Sequence, residues 1–216
     1  MMLRRSLTLA ALCLLCWSPR MAGAAPLAAG LTQSAEQQMR VPDTAFAPAK
    51  VATDYDYTES ASDADQNWFR GNHQQSYKQL GMAGGYYERA DSLKNLAIAV
   101  IYHYQGTAYA TTAAATHALN DGVQKSHGYD SAPKSCTLPA QYTCKRFLYP
   151  STNDYTGKKQ DKEMFDIFQV RNCLAEVSAT APEKKMARRM AKVIRTVNSV
   201  DAAAVTSLQK VCTGHL

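Results

Sequence analysis

From residue 95 to residue 120 the chain carries no charged side chain, and Lys94 and Asp121 bound the longest such stretch in its 216 residues. A run of this length belongs either in a protein core or in a bilayer, because it lacks the charges that hold a segment in water. Tyr102, His103, Gln105, Thr107, Thr111, Thr112, Thr116 and His117 make it too polar for lipid, so burial in protein is the expectation. Leu93, Leu96, Ala97, Val100, Ile101, Tyr104 and Ala108 recur at the spacing of one helical face, with Ser92 placed to cap the first turn. The spacing predicts a central buried helix with a break near Gly106, continued by the small side chains of Ala113, Ala114 and Ala115.

The N-terminus reads as an export signal. Arg4 and Arg5 precede an apolar stretch from Leu7 to Trp17 too short to span a bilayer, and Ala22-Gly23-Ala24 has the small-x-small form of a cleavage site. Residues 1–24 are therefore expected to be a signal peptide removed near Ala24, giving a periplasmic or secreted product without a transmembrane span. Cleavage removes Cys13 and Cys16 and leaves Cys136, Cys144, Cys173 and Cys212, an even set that points to two disulfides in an exported chain. We expect Cys136 with Cys144 and Cys173 with Cys212, bridges worth roughly 2.6 and 3.9 kcal/mol by loop entropy. The Cys136 to Cys144 spacing is too wide for zinc and no Cys-x-x-Cys remains, so neither metal nor cofactor is expected.

Residues 25–61 are rich in Ala, Pro, Thr, Ser and Asp without a hydrophobic period, and they read as a flexible low-complexity arm. Asp54, Asp56 and Thr58 begin like a calcium loop, but Glu59 stands where Gly is needed and Asp65 where Glu is needed. From Ser62 the pattern turns helical through Trp68 and Phe69, then Tyr77, Leu80, Met82, Tyr86 and Tyr87. Residues 127–160 hold Pro133, Pro139 and Pro150 and are expected as a long loop closed by the first disulfide, with Tyr142, Phe147, Tyr149 and Tyr155 as aromatic contact surface. Three helices finish the chain: one marked by Met164, Ile167, Val170, Leu174 and Val177, one opened by a Thr180-x-x-Glu183 capping box, and one opened by Ser199 and Asp201. Stacked up, down and up at about 1.5 Å per residue, they return Cys212 to the level of Cys173. The expected fold is all-α: a single helical bundle over residues 62–216, stapled by two disulfides.

Charge divides the chain. Residues 25–130 hold 7 basic and 11 acidic side chains, whereas residues 131–216 hold 14 and 7. The excess gathers on the second C-terminal helix, where Lys184, Lys185, Arg188, Arg189, Lys192 and Arg195 surround an apolar stripe of Met186, Met190, Val193 and Val197. Such a face suits an acidic protein partner or an anionic envelope surface, and the lack of interleaved aromatic residues argues against nucleic acid. Nucleophile-elbow, Ser-x-x-Lys, His-Glu-x-x-His and haem-attachment motifs are absent, and Thr156-Gly157-Lys158 lacks the glycine spacing of a phosphate loop. These absences argue against an enzyme. The expected function is an exported, non-enzymatic interaction protein of the toxin-neutralising, secretion-apparatus or effector type. It would bind an acidic partner through the six basic residues together with Tyr142 and Tyr149 of the stapled loop. Two other readings stand beside it. One is a membrane-active protein docking on anionic lipid; the other is a hydrolase with a site near His103, where Tyr104 and Glu88 or Asp91 would converge.

Overall fold

The computed structural model describes residues 33–57, 82–94, 97–127, 132–151 and 161–213. The signal segment with its cleavage site, the expected helix from Ser62 to Phe69, and Asp65, Tyr155 and Thr156 lie outside these residues. Along the chain come helix α1 (Gln33–Gln38), a 3-10 turn (Asp43–Phe46), strands β1 (Lys50–Tyr57), β2 (Met82–Lys94) and β3 (Ala97–Tyr109), and helix α2 (Thr112–His127). Strands β4 (Lys134–Ser135), β5 (Cys144–Pro150), β6 (Asp161–Val170) and β7 (Cys173–Pro182) follow, then helix α3 (Glu183–Val211). The strands form one seven-stranded sheet in the order β1-β2-β3-β7-β6-β5-β4, with every neighbouring pair antiparallel. The all-α bundle is therefore overturned: the chain is mostly antiparallel sheet with one long C-terminal helix.

The first half of the expected central helix is instead part of two strands, β2 and β3, whereas its second half, with Ala113, Ala114 and Ala115, is helix α2. Strand β3 lies between β2 and β7 and is buried on both faces from Ala99 to Tyr109. A strand covered on both sides is apolar at most positions, so its sequence satisfies a helical period as readily as an alternating one. Val100, Tyr102, Tyr104 and Ala108 join the core beneath α3, while Tyr109 joins a smaller core with α2. Gly106 breaks no helix. A Cβ there would lie 2.5 Å from the Tyr104 hydroxyl and 3.0 Å from Leu208 Cδ2, so the absent side chain is what lets α3 press against the strand. Met82, Tyr86 and Tyr87, expected on a helical stripe, belong to β2.

The expected helix from Met164 to Val177 is the hairpin of β6 and β7, turned at Arg171 and Asn172. Arg171 takes a φ of 55°, a left-handed conformation that costs a residue with a Cβ about 1–2 kcal/mol. The C-terminus holds it there. Arg171 donates to the Cys212 carbonyl at 2.9 Å, and Asn172 donates to the Tyr109 carbonyl at 2.7 Å while accepting from the Thr213 N–H at 2.6 Å.

The last two expected helices are one. Ser199 and Asp201 fall in the middle of α3, where Asp201 turns inward instead of capping a new start. Met186, Val193, Val197, Val200, Ala204 and Leu208 form the buried stripe of α3. Both disulfides form as paired above, with Cα separations of 5.5 Å for Cys136–Cys144 and 5.8 Å for Cys173–Cys212. The second is reached by a different route from the three stacked helices: β7 runs out from Cys173, and α3 runs back to Cys212. Replacing Cys173 and Cys212 by Ser is expected to lower the unfolding free energy by about 2–4 kcal/mol, read as a shifted guanidinium midpoint under non-reducing conditions.

Residues 33–57, read as part of a flexible arm, carry α1, the 3-10 turn and β1, and much of this stretch is tied to the fold. Met39, Val41 and Phe46 are buried. The Tyr104 hydroxyl donates to the Met39 carbonyl at 2.9 Å, Ser207 donates to the Arg40 carbonyl at 2.8 Å, and the Val41 N–H donates to Glu88 at 2.8 Å. Irregular backbone spaces these anchors, so they leave no period in the sequence. The long loop over 127–160 likewise contains β4 and β5.

Candidate functional site

Helix α3 follows β7 directly, with Pro182 at its N-cap and no side-chain capping bond. The capping box does not form, because Thr180 is a buried strand residue. Met186, Val193 and Val197 face the core, which turns Lys184, Arg188, Lys192 and Arg195 outward and leaves Lys185 and Arg189 half-buried. Among the described residues, Lys184, Lys185, Arg188, Lys192 and Arg195 form no ion pair with a carboxylate; the pair nearest by sequence joins Lys162 to Glu183 at 3.7 Å. Lys184 and Lys185, beside Glu183 in the first turn, oppose the helix dipole by about 0.3–1 kcal/mol each, and the cations further along neither gain nor lose from it. Folding therefore gains nothing from this arrangement, which leaves an uncompensated positive face.

The two aromatic candidates do not join that face. Tyr142 is buried, and its hydroxyl accepts from Gln209 at 2.7 Å near the far end of α3. Tyr149 is half-buried against the smaller core with Phe147 and Phe165. Tyr142, Phe147 and Tyr149 thus close the two cores, and among the described residues Leu148 is the large apolar side chain left exposed.

Sequence reasoning missed a polar strip on the sheet face opposite α3. Register sets His103 beside Ser178, and Glu163 beside Thr180 one row along. Gln105 and Glu176 form the next row, near α2, where a Cβ on Gly122 would come within 2.5 Å of Ile167 Cδ1 and 4.0 Å of Glu176 Oε1. All six residues are buried. The Ser178 hydroxyl bonds Glu163 and lies 3.5 Å from His103 Nδ1, while Thr180 Oγ1 finds no partner among the described residues. Burial pushes Glu163 up to about 7 against its bonds from Ser178 and Ser151, and pushes Glu176 up to about 8 against the pull of Lys125. Burial, helped by the Arg89 charge, lowers His103 to about 3, so its ring is neutral.

This strip is not the site expected around His103. Tyr104 and Glu88 point to the opposite side of the sheet, where they hold Met39 and Val41, and Asp91 pairs with Arg89 at 3.0 Å. Ser178 stands between the imidazole and the carboxyl, whereas nucleophile activation needs the imidazole between the hydroxyl and the acid. Cys136, Cys144 and Asp166 also cluster, but the two sulfurs are bonded to each other and offer no thiolate to a metal.

No protein-family model matches this sequence, and no curated protein matches it. Among solved structures, the fold is similar to the extracellular domain of PknH from Mycobacterium tuberculosis, with a TM-score of 0.54 and 8% identity over 84% of this chain and 98% of that one. At that identity the likeness is one of fold. The two disulfides are compatible with an exported protein, and no described helix is long and apolar enough to cross a membrane.

Proposed function

We infer that this chain is an exported, non-enzymatic interaction domain that presents the outer face of α3 to an acidic protein partner. The cations of α3 without a carboxylate partner among the described residues carry the reading, because they gather on one outer face and Lys184 and Lys185 also oppose the helix dipole. The sequence of residues 1–24, read as an export signal, supports a periplasmic or secreted location for the mature chain. The solved neighbour is itself an extracellular domain, which is in keeping with such a location.

Replacing Lys184, Lys185, Arg188 and Arg189 by Glu is expected to abolish capture of acidic partners from the source cell's envelope and culture fluid. It should also reduce retention on immobilised polyglutamate by at least about tenfold at 0.1 M salt. Raising the salt to 1 M should release the unmodified protein, since the screening length falls from about 10 Å to about 3 Å. Unchanged capture by the reversed variant would end the proposal, and co-sedimentation with anionic vesicles alone would transfer the face to lipid.

A further inference from the structure

Where α3 passes the 3-10 turn, the basic face stops being a flat surface. Lys192, Arg195, Thr196 and Ser199 recur at one helical face and form one wall of a groove of about 350 Å³, and Thr44, Ala47 and Pro48 form the other. The walls are fixed to each other. Thr196 donates to the Ala47 carbonyl at 3.4 Å, Phe46 is buried beneath the turn, and Ser207 anchors the preceding Arg40 carbonyl at 2.8 Å. No acidic side chain lines the groove, and neighbouring Asp43 is engaged by Arg40 at 2.7 Å.

We propose that this groove seats the phosphoryl group of a small aliphatic phosphomonoester, held between Lys192 and Arg195 with the Thr44 and Ser199 hydroxyls as further donors. The proposal rests on the reading that the α3 face binds acidic groups, and it names the chemistry of one of them. Arg195, Lys192 and Ser199 line one wall and Thr44 the other, so four side chains able to donate hydrogen bonds border the groove. That donor set outnumbers the two oxygens of a carboxylate and suits the three of a phosphoryl group. The volume admits more than a bare ion and stands at the small end of ligand sites. With no aromatic residue in the lining, nothing stacks on a nucleobase, so the organic part is a polyol or similar aliphatic group.

The probe is glycerol 3-phosphate, titrated into the mature protein at 0.1 M salt by calorimetry, beside inorganic phosphate and glycerol. Saturable binding is expected, tighter for glycerol 3-phosphate than for inorganic phosphate and absent for glycerol. Lys192→Gln and Arg195→Gln should each weaken it by about tenfold, whereas Lys210→Gln, exposed in the last turn of α3, should weaken it by less than about threefold. Lys192 and Arg195 are exposed, so both variants should fold, with far-ultraviolet circular dichroism as the control. No saturable binding, equal affinity for inorganic phosphate, or an equal loss from Lys210→Gln would overturn the proposal. Partner capture that survives such a failure would leave the acidic-partner reading standing, and glycerol 3-phosphate binding without partner capture would do the reverse.

Discussion

Glu176→Gln is expected to stabilise the protein by about 3–5 kcal/mol at pH 9 and to leave it nearly unchanged at pH 4. Glu176 is buried on the sheet face under α2 and takes up its proton near pH 8 when folded, against an ordinary value of 4.5. Between those values the folded chain binds a proton that the unfolded chain has released, so stability falls as the pH rises through the window. Glutamine keeps the shape of the protonated acid and never has to charge. Glu163 and Glu88, each raised from 4.5 to about 7, add the same slope over a narrower window. His103 acts oppositely: with a folded value near 3 against 6.5, its contribution is lost as the pH falls below 6.5. These four groups together place the stability maximum at about pH 4. Urea titrations of the parent and the variant across pH 4 to 9 measure the effect, and parallel curves would show that Glu176 is hydrated.

Arg146→Ala is expected to lower the unfolding free energy by about 3–5 kcal/mol at pH 7, the loss typical of breaking a buried pair from one side. Arg146 and Asp166 are register partners on β5 and β6. Arg146 Nε donates to Asp166 at 2.8 Å, and the same guanidinium donates to Asn198 on α3 at 2.7 Å and lies 3.5 Å from Asp201. Burial and the neighbouring Asp166 push the Asp201 carboxyl well up, against the pull of the Arg146 charge. Removing the guanidinium leaves two buried carboxyl groups facing each other and unties the middle of α3 from the sheet. Arg146→Lys should recover only part of the loss, because an ammonium cannot make the two-pronged contact. Joint replacement of Arg146, Asp166 and Asp201 by Met, Leu and Leu should recover more. A loss below about 1 kcal/mol in Arg146→Ala would mean that water reaches the cluster.

One strand was legible and was read as a helix. Ala175, Val177, Ala179 and Ala181 alternate with Glu176, Ser178 and Thr180, which is the two-residue period of β7 with its apolar side toward α3. Met164, Ile167, Val170, Leu174 and Val177 also fit a helical spacing, because β6 and β7 are buried on both faces and offer an apolar residue to almost any template. The polar strip was hidden for another reason. His103, Ser178 and Glu163 are far apart in the chain and meet only through strand register, which no local pattern encodes.

The sequence by itself determined the properties that depend on residue identity or local period. Those are the burial of residues 99–109, the amphipathic basic stretch of α3 with its core-facing Met186, Val193 and Val197, and the four cysteines that pair. Tertiary structure alone decided that the uncharged segment is a strand as far as Tyr109 and a helix from Thr112, that α3 runs unbroken past Ser199, and that Glu163, Glu176 and His103 share one buried face. Burial on both faces erases the period by which helix and strand are told apart, and contacts between distant segments leave no local trace. The pairing of Cys173 with Cys212 survived the change of fold because a strand out and a helix back close the same loop as three stacked helices.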